Sequence, residues 1–128
     1  MPPYSPSTSP AISAATPVTV WNAETPTPGA NAAASSQSVY LWRQNYGNYR
    51  FSVDLQFSGA PGVFEVDVMV SNQDVLGTYS TLTGGVINTV DATNNTAHFD
   101  ANANQGRFCK LMMRTRTNGV SVTGIVYQ

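Results

Sequence analysis

Three acidic side chains lie where a pair of carboxylates could do chemistry. Asp54 belongs to one run of alternating residues, and Glu65 and Asp67 belong to the next. If the two runs form an antiparallel hairpin, all three carboxylates share its outward face and Asp54 stands opposite Asp67. Like charges that face each other across two strands are unfavourable. The expected proximity of these like charges therefore calls for a compensating interaction or a function.

Three interpretations of the acidic group stay open. In an enzyme the carboxylates would act as a general acid and a general base, with one pKa raised. Alternatively, they are solvated surface charges. In the third interpretation an outward basic row neutralises them, either on the next strand or on another subunit; this row is Lys110, Arg114 and Arg116.

Residues that bind metals or act as nucleophiles are sparse. His98 is the only histidine and Cys109 the only cysteine, so one histidine would serve any catalytic triad and no intrachain disulfide is possible. We interpret His98 as a surface residue of a strand and Cys109 as a buried structural thiol. One oxygen-rich group lacks the ligand spacing of a calcium loop and favours turns instead; its members are Asp91, Asn94, Asn95 and Asp100. No metal or cofactor is expected.

Aromatic side chains are concentrated in the first half of the chain, where they could stack against a sugar ring. Trp42 and Tyr46 flank a stretch rich in Asn and Gly, and they are the candidates for exposure. Packing in a core or an interface is the commoner role of such rings. Carbohydrate binding is therefore the alternative function.

The elements that must position these residues are β-strands. The clearest signal is period-two alternation over residues 49–57, followed by turn residues and a second alternating run over 64–70. Asn118-Gly119 favours another hairpin, between segments 107–116 and 120–127. Residues 22–37 form a long loop rich in Pro, Gly, Ala and Ser. Seven to eight short strands without helical periodicity predict an antiparallel β-sandwich that is jelly-roll-like.

The 128 residues indicate one domain, over residues 17–128, preceded by an arm. The first sixteen residues are rich in Pro, Ser, Thr and Ala and contain no charged side chain, so this segment is expected to be extended. We expect the arm to become ordered against another subunit, with Tyr4 and Ile12 as its anchors. A terminus without a role is the alternative.

Charge is sparse along the whole chain. Charged residues make up 10% and the net charge is −1, against about 25% charged residues in an average domain. The pI of about 5.6 and the lack of a basic stripe argue against a nucleic-acid partner. No apolar stretch is long enough for a membrane helix, and no secretory signal is visible, so we expect synthesis in a cytoplasm without export. The low charge indicates either a surface covered by neighbouring chains or one kept soluble by neutral polar residues.

Five segments resemble small β-sandwich proteins of tailed-bacteriophage virions. They are residues 19–25 (TVWNAET) with the loop that follows, 51–59 (FSVDLQFSG), 66–72 (VDVMVSN), 107–111 (RFCKL) and 118–123 (NGVSVT). The resemblance covers about residues 17–128 and is a pattern of apolar spacing with few identities. The chain departs from the family after the Ser-Asn loop, where Tyr79 stands in place of a Trp.

This resemblance implies a structural virion protein without enzymatic activity. It would be a decoration (cement) protein that binds the outside of a bacteriophage capsid and stabilises it. It would be made in the host cytoplasm, and its partner on the capsid surface would be the major capsid protein. It would act as a homo-oligomer, a trimer or a dimer. The candidate contact residues are Tyr4, Ile12, Asp54, Glu65, Asp67, Lys110, Arg114 and Arg116. The alternative is a tail or head-fibre module that binds a carbohydrate or receptor through Trp42 and Tyr46.

Overall fold

The computed structural model describes residues 17–42, 49–102 and 106–128, which form a nearly all-β body. Two short 3-10 turns span Ala32–Ala34 and Leu76–Thr78. Eight strands make up the rest: β1 (Val18–Glu24), β2 (Val39–Tyr40), β3 (Phe51–Phe57), β4 (Phe64–Ser71), β5 (Ser80–Ile87), β6 (Thr96–Ala101), β7 (Phe108–Arg116) and β8 (Val122–Tyr127). The predicted β-sandwich is confirmed. The predicted anchors Tyr4 and Ile12 and the aromatic candidate Tyr46 lie outside the described residues.

The strands form two four-stranded antiparallel sheets that pack face to face. One sheet, here called the open sheet, has the order β1-β8-β3-β6, and the other, the covered sheet, has the order β2-β7-β4-β5. The first strand therefore pairs with the eighth, the second with the seventh, the third with the sixth and the fourth with the fifth. This is the strand order of a jelly roll, as the sequence indicated.

The two predicted hairpins that would join β3 to β4 and β7 to β8 are wrong. In each case the two strands lie in opposite sheets. The rings of Phe57 and Phe64 do meet, with centroids 4.9 Å apart and planes at 60°, but they meet edge to face between the layers. Short polar connections look alike in sequence whether they turn back along one sheet or cross to the other, so the alternation could not separate the two cases.

The two connections that replace these hairpins hydrogen-bond to each other. Thr117 N donates to Val63 O at 2.9 Å, and Asn118 N donates to Pro61 O at 3.2 Å. Ser121 N donates to Ser58 Oγ at 3.0 Å. The residues that were predicted to close two hairpins thus tie one end of the sandwich together.

The long loop before β2 lies along the free edge of β7. Gly29 N donates to Met113 O at 3.0 Å, and Ser36 N donates to Leu111 O at 2.8 Å. Leu111 N in turn donates to Ser36 Oγ at 2.8 Å. The loop of 14 residues between β1 and β2 (25–38) is accommodated because several of its backbone groups are satisfied by a strand edge.

The covered sheet is largely buried on both of its faces along β4 and β7, whereas β5 at its edge is mostly exposed. Its inner face contributes to the main core between the sheets, and its outer face carries a second apolar cluster, which comprises Ala34, Tyr40, Met69, Tyr79, Phe108 and Met112. The open sheet contrasts with it, because every outward side chain on β3, β6 and β8 retains some exposure.

Strand β5 continues through two glycines. A single strand runs through Gly84 and Gly85, with a register irregularity against β4 between Asp67 and Met69. No helix in the described ranges is long and apolar enough to cross a membrane.

Gly62 tests the contact between the crossing connections, because it has φ +72° and a Cβ there would clash with Thr117 Oγ1. Gly84 has φ +77° and no atom within 4 Å of such a Cβ, so Gly84→Ala measures the cost of the left-handed backbone alone, about 1–2 kcal/mol. Gly62→Ala is expected to cost about 1–3 kcal/mol more in the free energy of unfolding by urea. Equal losses in both variants would show that the two connections are not in tight contact.

Candidate interaction surface

The structure separates the three carboxylates that the sequence placed on one face. Asp54 lies on β3 of the open sheet, opposite His98 and Ile125. Glu65 and Asp67 lie on β4 of the covered sheet. The predicted pairing of Asp54 with Asp67 is wrong, because β3 and β4 belong to different layers. An acid–base pair made of these two residues has no geometric basis.

Asp67 finds its counter-charge on the neighbouring strand of its own chain. Arg114 Nε on β7 donates to Asp67 Oδ2 at 2.9 Å, and Thr81 Oγ1 on β5 donates to the same oxygen at 3.0 Å. The Asp67 side chain is only 7% exposed. For this residue the third interpretation, neutralisation by the basic row of the next strand, is confirmed.

The other two members of the basic row are also engaged within the chain. Lys110 Nζ lies 4.6 Å from the centre of the Tyr79 ring, and partial burial lowers the pKa of the Lys110 ammonium. Arg116 Nε donates to Pro26 O at 3.1 Å. The basic side chains of β7 therefore hold the covered sheet and the segment that packs on it.

The outer face of the open sheet is built from cross-strand rows. The central row runs Thr19, Ile125, Asp54 and His98 across β1, β8, β3 and β6. A second row places Ser52 between Tyr127 and Asp100. No Lys or Arg occurs in the four strand segments of this sheet, so the charged groups that the strands themselves place on this face are carboxylates and a single histidine.

His98 bridges two carboxylates at the centre of this acidic face. Its Nδ1 lies 2.5 Å from Asp54 Oδ1, and its Nε2 lies 2.8 Å from Asp100 Oδ1. The hydrogen bond with Asp54, followed by the contact with Asp100, raises the pKa of His98 despite some desolvation. Ser52 Oγ donates to Asp100 at 2.5 Å, and this bond lowers the pKa of the Asp100 carboxyl.

Tyr127 completes the group of titratable side chains around His98. Burial and then the negative charge of Asp54 raise the pKa of the Tyr127 phenol. The sequence identified His98 as an exposed strand residue, and its half-exposed position on β6 confirms that. Its partner Asp54 lies 44 residues away in the chain, so local patterning gave no sign of the pair; only the spacing of His98 and Asp100 was visible.

An open groove runs beside this group. Its volume is about 720 Å³, and it is lined by the ends of β3, β6 and β8 and by the connection that precedes β6. Ile125 and Val90 supply apolar surface, while Asp54, Gln56 and His98 supply polar groups. Such a mixture of apolar and hydrogen-bonding surface suits a side chain with an apolar stem and a charged end.

The oxygen-rich turn uses its carboxylate to close itself. Asp91 accepts hydrogen bonds from Thr93 N at 2.9 Å and Asn94 Nδ2 at 3.0 Å. The bond from the Thr93 backbone is the main cause that lowers the pKa of Asp91. Asn95 adopts φ +56°, as a turn residue does. Among the described residues, no group of three or more His, Cys, Asp or Glu side chains is arranged to hold a metal ion.

Of the two remaining candidates, Cys109 is buried and Trp42 is exposed. Cys109 is fully buried, as predicted, and burial raises the pKa of its thiol far above the usual range. Trp42 is 48% exposed directly after β2. Its backbone is held by the Gln128 side chain, which accepts from Trp42 N at 3.0 Å and donates to Trp42 O at 2.8 Å.

The bridge at His98 predicts a specific titration. Because the raised pKa reflects the charged partners of the imidazolium, Asp54→Asn is expected to lower the pKa of His98, and Asp100→Asn to lower it by less. The stabilisation from this bridge is present below the pKa of the unfolded histidine and is lost as pH rises through the folded-state pKa. Since the protein has one histidine, NMR of the imidazole protons measures both values without overlap. An unchanged titration in Asp54→Asn would contradict the bridge.

No protein-family model, curated protein or solved structure matches this chain significantly. The function is therefore argued from the residues and the geometry described above.

Proposed function

We propose that this protein is a non-enzymatic capsid decoration protein that docks on the outside of a bacteriophage capsid and stabilises it. The observation that supports this most is the asymmetry of the two sheets. The chain covers the outer face of β4 and β7 in one sheet with its own segments, whereas the described residues leave the outer face of the other sheet available to another protein. The jelly roll occurs in viral capsid proteins among others, and by itself it assigns no function.

Charge indicates what kind of surface would dock on the open sheet. Its strands contain the carboxylates of Glu24, Asp54 and Asp100 and no Lys or Arg. The basic side chains of β7 are occupied within the covered sheet. A complementary partner surface would therefore be basic, with Ile125 available for apolar contact at the centre. Complementary charge sets orientation and association rate more than affinity.

The sequence of residues 1–16 fits the same role. If this uncharged, Pro-rich segment is extended, it reaches about 50 Å at roughly 3.1 Å per residue. An arm of that length could lie across the joint between capsid subunits while the open sheet docks on one of them. Because such a protein binds only the assembled shell, its binding free energy stabilises the shell by mass action. Copies would act as a homo-oligomer, a trimer or a dimer, with the major capsid protein as partner.

Trp42 supports a second candidate function, a tail or head-fibre module that binds a carbohydrate or receptor. Its ring is half exposed and its backbone is fixed by Gln128. The Tyr40 ring lies beside the Trp42 ring in an edge-to-face arrangement, with ring centroids 6.4 Å apart. Fixed, exposed aromatic rings suit stacking against the apolar face of a sugar.

Co-sedimentation with tailed-phage capsids that lack their decoration protein tests the leading proposal. The full-length protein is expected to pellet with the capsids, and a variant without residues 1–16 to pellet at least tenfold less. Thr19→Arg places a positive charge on the open face, and Thr83→Arg places the same side chain on exposed β5 of the covered sheet. Thr19→Arg is expected to weaken binding, and Thr83→Arg to leave it unchanged.

Binding that is absent for the full-length protein would contradict the decoration role. Equal binding by both arginine variants would contradict docking through the open sheet. Binding to a glycan array that is lost in Trp42→Ala, together with no capsid binding, would favour the second function.

A further inference from the structure

The Asp67 carboxylate contains an oxygen that the fold leaves without a donor. Oδ2 accepts from Arg114 and Thr81, as described above. Oδ1 is buried and receives no hydrogen bond from any described residue. A buried carboxylate oxygen without a donor is costly, because it loses its hydration and gains nothing in return. Some neighbouring group should therefore supply a hydrogen.

The strands on either side do not donate to Oδ1. On β5, Thr81 already donates to Oδ2, and the side chain paired across from Asp67 is the apolar Val86. On β7, the residue in register is Met112, and Arg114 directs Nε to Oδ2 and Nη2 toward Met69 Sδ at 3.9 Å. The other charged side chains of β7 are directed elsewhere, since Lys110 lies over the Tyr79 ring and Arg116 donates to Pro26 O.

Glu65 is the remaining polar neighbour. It lies two residues before Asp67 on the same strand, so both side chains point to the outer face of the covered sheet. A carboxylate accepts hydrogen bonds only, and a carboxylic acid also donates one. Glu65 can therefore satisfy Oδ1 only in its protonated form.

We propose that Glu65 and Asp67 form an acid pair that shares one proton, with the Glu65 carboxyl donating its O–H to Asp67 Oδ1. Arg114 and Thr81 donate to Oδ2 and Glu65 donates to Oδ1, so both oxygens of the buried carboxylate have a donor. The hydrogen bond to Asp67 is also the largest cause that raises the pKa of Glu65, ahead of burial and of the charge on Asp67, while Arg114 acts in the opposite direction.

The shared proton changes the charge that this surface presents. While the pair is protonated, Glu65, Asp67 and Arg114 together are neutral, because one carboxylate balances one guanidinium. When the proton leaves, the second carboxylate stands unpaired beside the first. This inference is independent of what the open sheet binds, since it concerns the opposite face of the sandwich.

Proton linkage gives the sign of the effect on stability. A carboxyl whose pKa is raised by folding binds its proton more tightly in the folded state, so stability falls as pH rises from the pKa of the unfolded chain through the folded-state value. Glu65→Gln supplies an amide N–H donor at every pH. The thermal midpoint of Glu65→Gln minus that of the natural protein is therefore expected to increase as pH rises between the unfolded-state and folded-state pKa of Glu65.

The experiment combines NMR with matched variants. The side-chain carboxyl carbon of Glu65 is expected to titrate at a higher pH in the folded protein than in the same chain unfolded in urea. Thermal midpoints are then compared between pH 4 and pH 8 for the natural protein, Glu65→Gln and Glu24→Gln, which removes the only other glutamate, an exposed one. Only for Glu65→Gln should the difference in thermal midpoint from the natural protein change with pH.

Two results would overturn the shared proton. One is a Glu65 carboxyl that titrates in the folded protein at or below its value in urea. The other is a midpoint difference for Glu65→Gln that stays constant with pH or is matched by Glu24→Gln. If Glu65→Gln does not fold, the NMR titration of the natural protein decides alone.

Discussion

Consecutive strands of this protein lie in opposite layers, except for β4 and β5, and most of its other features follow from that constraint. Five of the six strand pairings join strands that are not consecutive in the chain, and only β4 and β5 are paired neighbours. The connections at one end must therefore cross the sandwich, and they satisfy their backbone groups on each other. The edge-to-face contact of Phe57 with Phe64 lies at the same crossing. A change there acts on both sheets at once.

The same constraint distributes the charges. Asp54 and Asp67 are thirteen residues apart in sequence, yet they face away from each other on opposite sides of the molecule. Asp67 is buried against Arg114 and its neighbours, whereas Asp54 lies half exposed beside His98. Burial makes the first carboxylate a structural group that depends on its donors. Exposure leaves the second accessible to an approaching surface. Two aspartates of one alternating pattern thus have different chemical roles.

The alternating pattern of the sequence was sufficient to predict most strands and the two-layered β architecture. Alternation placed β3, β4 and β7 correctly and predicted that Cys109 faces inward, because period two is a local property of the chain. It could not assign strands to sheets, since a turn such as 58–63 contains the same residue types in a hairpin and in a crossing. The pair Asp54–His98 was missed for that reason. Neutralisation of the carboxylates by the basic row that contains Arg114 was one of three open interpretations, and the contact of Arg114 with Asp67 selects it for that residue.

The position of β8 has a consequence for how the β-sandwich folds. This last strand lies between β1 and β3, so it supplies the hydrogen-bonding partners of the first strand and of the central one. Until β8 is in place, β1 has no neighbour in its own sheet. The open sheet is therefore complete only when β1 and β8 have met, and such a long-range pairing slows folding because a large loop must close first.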